Sequence, residues 1–197
     1  GSNPEKSENF TSLRHCGQLS IEPGLPVFDW MYLEDFEGRL SLHDATASWK
    51  AEGPLGTAQV SALVSHDPPV MAVHYEDQLS EPVERRVTLA RWGSRVFEHW
   101  YRYVRRDGHL GLDASQMGCE GDEAWMIQET RSLHFAVACK LVGVSAKAEI
   151  RSSREVSYLL SPRTECSFDI YISVVTSEES DDPLTTAKEC VHRAAEA

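Results

Sequence analysis

The sequence predicts an all-β fold, an antiparallel β-sandwich that ends in one C-terminal helix. Alternating apolar and polar residues recur in short segments along the chain, most clearly at Phe168, Ile170, Ile172 and Val174. This period of two is typical of half-buried strands. Clusters of Gly and Pro separate the segments, as turns do in antiparallel sheets. Only the final segment changes to helical spacing.

The segment 13–22 resembles a short strand that Pro23 and Gly24 end, and a period-two pattern predicts another strand within 40–49, where Leu40, Leu42 and Trp49 fall in the alternation. The turn sequence His-Asp-Pro-Pro at 66–69 predicts a hairpin. The remaining predicted strands cover 60–64, 70–75, 83–89, 124–128, 135–141, 146–150, 155–160 and 168–174. Such a series of short strands is what a sandwich requires.

A dense apolar patch lies at 27–36, with Asp and Glu interleaved. Large aromatic side chains at this density are more often core than surface. We therefore expect most of the patch to be buried. Its large apolar members are Phe28, Trp30, Met31, Tyr32, Leu33 and Phe36.

The C-terminal segment predicts a helix of about three turns. Asp182 before Pro183 reads as an N-cap followed by proline at the first helical position, and Ala187 and Val191 then follow at helical spacing. The predicted organisation is a disordered leader with a cloning scar at 1–9, a sandwich domain at 10–180 and a linker helix at 181–197. Together, the scar and the late helix favour a piece excised from a larger protein.

The segment 91–113 is aromatic and basic and has no period of its own, which predicts a long excursion from the sheet. Aromatic faces beside guanidinium donors suit ligands with apolar C–H faces and hydroxyl or acidic groups, sugars among them. Long ordered loops on a sheet scaffold often carry function. The alternative is that each aromatic fills the core or a domain interface. The predicted ligand-binding residues are Trp92, Arg95, His99, Trp100, Tyr101 and Arg102.

The formal charge of −12 argues against nonspecific binding to nucleic acid or to an anionic membrane. One short span, 85–106, nevertheless holds seven of the nineteen Lys and Arg residues. These arginines either face a confined anionic or hydroxylated partner or pair with the many carboxylates. No apolar run approaches the length of a membrane span, so we expect a soluble chain, with a secreted or periplasmic location left open.

From Leu40 onward the order of features resembles the amino-terminal β-sandwich domain of glycoside hydrolases and phosphorylases whose catalytic domain is an (α/α)6 barrel. The similarity rests on Gly-Arg-Leu-Ser-Leu-His-Asp-Ala-Thr-Ala at 38–47, on 56–64 and on Ser-His-Asp-Pro-Pro-Val-Met-Ala-Val at 65–73. The α-L-fucosidase-like and disaccharide phosphorylase families are examples. The resemblance implies a galactose-mutarotase-like super-sandwich, a carbohydrate partner, and a C-terminal barrel in the same protein that carries the catalytic carboxylates.

No catalytic residue, metal ligand or cofactor is predicted within the chain itself. The five cysteines are scattered without a Cys-x-x-Cys pair, the eight histidines lack metal-binding spacing, and no Gly-x-Ser-x-Gly motif occurs. Glu98 with His99 is the pair to test for epimerase-like chemistry. Two functions remain open: a noncatalytic domain of a larger carbohydrate-active enzyme, or a free-standing carbohydrate-binding module.

Overall fold

The computed structural model describes residues 16–91, 115–129 and 133–197. The predicted leader at 1–9 lies outside these ranges. Within them, ten strands precede one helix. The elements are β1 (Gln18–Glu22), β2 (Asp35–Ser41), β3 (Thr46–Gly53), β4 (Gly56–Ser65), β5 (Val70–Ala90), β6 (Gln116–Glu120), β7 (Glu123–Glu129), β8 (His134–Val142), β9 (Ala146–Ser152), β10 (Glu155–Thr176) and α1 (Pro183–Ala195).

All the pairings between these strands are antiparallel, and two long strands, β5 and β10, belong to two layers each. The first half of β5 and the second half of β10 lie in the first layer, whose order is β2-β3-β4-β5-β10-β8-β7-β6. Their other halves form the second layer, between β1 and β9. The crossing point is marked by register shifts on both sides of Arg163. The bend folds one continuous sheet over itself.

The core lies between the two layers. Tyr75 and Phe168 of the first layer stack with ring centroids 4.9 Å apart. From the second layer, the Tyr158 hydroxyl donates a hydrogen bond to the backbone carbonyl of Cys139 on β8, at 3.1 Å. Tyr75, Phe168 and Tyr158 are buried, as is Leu89 of the second layer. The prediction of an all-β sandwich with a C-terminal helix is confirmed.

Helix α1 packs on the face of the first layer that points away from the second layer. Ala187, Cys190 and Val191 form one buried cluster with Ala138 and Val175 of the sheet. The predicted N-cap is present, because an Asp182 carboxylate oxygen accepts a hydrogen bond from the Thr185 backbone N–H at 3.1 Å. The layers therefore follow the order helix, first sheet layer, second sheet layer.

Several sequence expectations were wrong in detail. The alternation at 40–49 is a hairpin of β2 and β3 rather than one strand, and its turn places Ala45 at a φ of 53°. The segments predicted at 70–75 and 83–89 form the single strand β5, and those at 155–160 and 168–174 form β10. Strand β6 was not predicted.

The apolar patch at 27–36 is mostly exposed, which corrects the expectation of a buried cluster. Val27 is buried, but Trp30 is 82% exposed, Met31 68% and Phe36 52%. The reason is positional: Trp30 and Met31 lie in the turns before β2, and Phe36 lies on β2, at one end of the strand order of the first layer. The division of the chain at residues 10, 180 and 181 stays a prediction.

Candidate functional site

The predicted ligand-binding residues lie outside the described residues. Trp92, Arg95, His99, Trp100, Tyr101 and Arg102 all belong to the segment 92–114, and so do the epimerase candidates Glu98 and His99. The structure therefore locates the two ends of this segment, and the assignment of its side chains stays a prediction.

The two ends of the segment meet at one place, the polar base formed by Arg91, Ser115 and Gln128. Arg91 Nη1 donates to the Ser115 hydroxyl at 2.7 Å, and that hydroxyl donates to Gln128 Oε1 at 3.0 Å. The Arg91 backbone N–H also donates to the Arg154 carbonyl at 2.8 Å. Ser115 is 6% exposed and Gln128 1%. Buried, satisfied hydrogen bonds of this kind hold both ends of the segment in fixed positions.

Arg91 is buried, which is unusual for a charged side chain. Burial lowers its pKa from the usual value, and the positive charge of Arg154 lowers the pKa further. The polar base therefore holds a buried arginine, hydrogen-bonded to Ser115, at the two ends of the segment 92–114.

A second candidate is a groove of about 470 Å³ on the outer face of the first layer, near the bend of β5 and β10. Its position follows from strand alternation, because Glu76 and Gln78 point outward between the buried Tyr75, Asp77 and Leu79. We call it the outer groove. Its polar lining residues are Lys50, Thr57, Gln59, Glu76, Asp77, Gln78, Arg163, Glu165 and Ser167.

The outer groove offers amide, carboxylate and cationic groups. Gln78 Nε2 donates to Glu165 Oε1 at 3.2 Å, which links β5 to β10 across it. Lys50 Nζ lies 3.7 Å from Glu52 at its edge. Such groups can hydrogen-bond hydroxyls of a ligand, but the described lining residues include no aromatic ring on which a sugar could stack.

His74 lies farther along the same outer face. Its Nδ1 is 2.8 Å from Asp169 Oδ1, and its Nε2 is 3.7 Å from Glu76 Oε2. The contact with Asp169 joins β5 to β10 across the sheet, whereas Glu76 lies two residues along β5 from His74, and all three side chains are partly exposed. Among the residues described, no group of three or more His, Cys, Asp and Glu side chains could hold a metal ion.

Sequence reasoning missed the outer groove. Its residues come from β3, β4, β5 and β10, and Glu76 and Gln78 alternate with buried residues of β5, so no local motif marks the groove. Two prolines inside long strands, Pro82 and Pro162, were the available signal, because proline in a strand marks an edge or an irregularity.

Comparisons with known proteins give similarity to solved structures. No protein-family model matches the chain, and no curated protein matches it. The chain is similar to a solved structure described as "Putative kojibiose phosphorylase from human microbiome", with a TM-score of 0.57 and 11% sequence identity. The similarity covers 83% of this chain and 23% of that one, so this chain spans about a quarter of that protein's length.

At this identity the likeness concerns the fold. The chain has the fold of one part of that larger chain. This agrees with the resemblance seen in the sequence at the level of the fold alone. Within the described ranges, no helix combines the length and apolar character needed to cross a membrane.

Proposed function

We propose that this chain is a noncatalytic β-sandwich domain of a larger carbohydrate-active enzyme whose catalytic domain is an (α/α)6 barrel. In this proposal the segment 92–114 reaches the sugar site of the barrel. The observation that carries it is the fold likeness, which extends over 83% of this chain but over only 23% of the phosphorylase. In this proposal the catalytic unit lies in another part of the same protein.

The polar base supports the proposed role of the segment. A loop that contributes to a site must be held by a rigid scaffold, because small displacements weaken contacts with a ligand. Arg91 and Ser115 supply that attachment at 2.7 Å. The segment then presents the predicted residues, Trp100 and Arg102 among them, to a sugar bound mainly by the barrel.

The first test is the native coding sequence. The proposal requires that it continue beyond this chain into a run of helical hairpins with Asp and Glu in their loops. A reading frame that codes for no such region would make the domain proposal wrong.

The second test is kinetic and uses the full-length protein with disaccharides, with and without inorganic phosphate. Trp100→Ala and Arg102→Ala are expected to lower kcat/KM by about tenfold, the equivalent of about 1.4 kcal/mol of binding. Arg151→Ala is the matched control, since Arg151 is exposed on β9 and pairs only at the surface with Glu149 at 3.1 Å. Equal kinetics in the wild type and both segment variants would contradict a role of the segment at the sugar site.

The second candidate function is a free-standing carbohydrate-binding module, and the outer groove favours it because its side chains can bind hydroxyls. Titration calorimetry of the 197-residue chain against a glycan panel tests it. Saturable binding that Trp100→Ala abolishes would assign binding to the segment. Binding that Gln78→Ala abolishes would assign it to the outer groove. No binding by the chain alone would leave only the domain function.

A further inference from the structure

Strand β2 forms one edge of the first layer. Among the described strands it pairs with β3 alone, and six of its seven residues are exposed. The far side of an edge strand presents backbone N–H and C=O groups that can pair with another strand. We propose that β2 pairs with β2 of a second copy of this chain, antiparallel and centred on Gly38, to form a two-fold dimer.

The edge carries charges at Asp35, Glu37 and Arg39, but it lacks three other features that prevent such pairing. Natural edge strands are usually protected by proline, lysine or a β-bulge. β2 reads Asp-Phe-Glu-Gly-Arg-Leu-Ser, without Pro or Lys. Its register with β3 runs without a shift from Asp35 opposite Glu52 to Ser41 opposite Thr46, so no bulge twists the edge away.

The sequence of β2 is complementary to itself about Gly38. In an antiparallel pair centred there, Glu37 of one copy stands opposite Arg39 of the other, and the two-fold axis repeats this opposite-charge pair. Within one copy, Glu37 stands opposite Lys50 of β3, and the Nζ of Lys50 lies 3.7 Å from Oε2 of Glu52. Opposite charges directly across a sheet stabilise the pairing, whereas like charges oppose it.

The other face of the strand is complementary in an apolar sense. Phe36 and Leu40 pair with Ala51 and Ala47 of β3, and Trp49, which lies between those two residues, pairs with Gly38. The side chains of Phe36, Leu40 and Trp49 therefore lie on one face of the sheet. Phe36 is 52% exposed, Leu40 70% and Trp49 42%. Phe36 of one copy would stand beside Leu40 of the other, which removes part of this apolar surface from water. Two glycines meet at the centre without a steric conflict.

Sedimentation velocity of the 197-residue chain, measured over a wide range of concentrations, tests the proposal. The wild type is expected to show a reversible monomer–dimer equilibrium. Arg39→Glu and Glu37→Arg each place like charges in both symmetric pairs, and each is expected to raise the dimer dissociation constant about tenfold or more. Arg151→Glu, on the exposed surface of β9, is the control and should leave dimerisation unchanged.

Mixing the two charge variants provides the decisive measurement, since the mixture restores opposite charges in both cross-strand pairs. The mixture is expected to form a heterodimer about as tightly as the wild type dimerises. Circular dichroism and unfolding midpoints confirm that each variant is folded. The proposal is overturned if the wild type stays monomeric at every concentration, if neither single variant weakens the dimer, or if the mixture associates no better than its parts. Loss of the dimer would leave the domain function unaffected, because the kinetic test does not involve β2.

Discussion

Arg85 and Asp77 form a wholly buried, two-pronged ion pair at the bend of β5. Arg85 Nε donates to Asp77 Oδ2 at 2.9 Å and Nη2 donates to Oδ1 at 2.6 Å, with both side chains 0% exposed. The remaining guanidinium donors reach the carbonyls of Val83, Arg163 and Thr164. One cation thereby joins both strands at the point where they cross between layers.

Removing one partner of this pair is expected to destabilise the fold strongly. Asp77→Asn leaves a buried guanidinium uncompensated, and Arg85→Met leaves a buried carboxylate, so each should lower the free energy of unfolding by about 3–5 kcal/mol. The double variant should lose less than the sum of the two, because neither charge is then left alone. Urea unfolding measures all three. A loss below about 1 kcal/mol in either single variant would contradict a structural role for the pair.

The polar base of the segment 92–114 can be tested through Ser115. Ser115→Ala removes the hydroxyl that lies between Arg91 and Gln128, and we expect a loss of about 1–3 kcal/mol in the free energy of unfolding. In the full-length protein the same change should lower kcat/KM for the sugar, because the segment is then held less firmly. Ser153→Ala, in the exposed turn before β10, is the control. A variant that unfolds like the wild type and retains its kcat/KM would show that the base positions nothing.

The parts of the fold that the sequence predicted are those governed by local chemistry. Strand alternation and the Asp-Pro start of α1 depend on neighbours in the chain, so Asp182 could be recognised as an N-cap. Burial of the aromatic patch depended on its place in the fold, in turns and on the strand at one end of the first layer, which no local pattern records. For that reason Trp30 and Phe36 were wrongly expected in the core.

The candidate sites also combine features that the local sequence shows with features that only the fold creates. The aromatic and basic composition of 92–114 is visible in the sequence, but the hydrogen bond that brings Arg91 to Ser115 is not. The outer groove and the Arg85–Asp77 pair arise where β5 meets β10, through register between residues such as Gln78 and Glu165. The bend in β5 and β10 sets this long-range register. The sequence pattern predicted each of these bent strands as two separate strands.

The N-cap of α1 gives a prediction with a closely matched control. Asp182 accepts hydrogen bonds from the Thr185 hydroxyl at 2.7 Å and from the Thr185 N–H at 3.1 Å. These hydrogen bonds lower the pKa of Asp182 from its usual value. Asp182→Ala should lower the urea midpoint and speed amide exchange in the first turn of α1, whereas Asp181→Ala, one residue earlier and exposed, should do neither.

The pH dependence of the N-cap follows from the direction of its shift. Because the folded state holds the carboxylate more strongly than the unfolded state, the stabilisation is present above the unfolded pKa and is lost as the pH falls through the folded one. The difference in urea midpoint between the wild type and Asp182→Ala should therefore shrink on acidification. A difference that stays constant down to strongly acidic pH would exclude the carboxylate as its source.

Buried acids with raised pKa values predict a loss of stability at alkaline pH. Burial raises the pKa of the Cys139 thiol from 9.0 to about 12, although the hydrogen bond with Tyr158 opposes the rise. Burial also raises the pKa of the Tyr75 and Tyr158 hydroxyls above their usual 10.0. In each case the unfolded chain releases its proton first, so stability present below the unfolded pKa is lost as the pH rises toward the folded one.

Urea unfolding between about pH 8 and about pH 11 should therefore show stability falling from about pH 9, by at most about 1.4 kcal/mol per pH unit for each proton, and falling more steeply above about pH 10. Cys139→Ala lowers stability at every pH by leaving a cavity, but it should flatten the pH dependence between about 9 and 10. Cys16→Ala is the control, since Cys16 is exposed. Stability that stays level through this range in the wild type would show that the folded chain does not hold these protons.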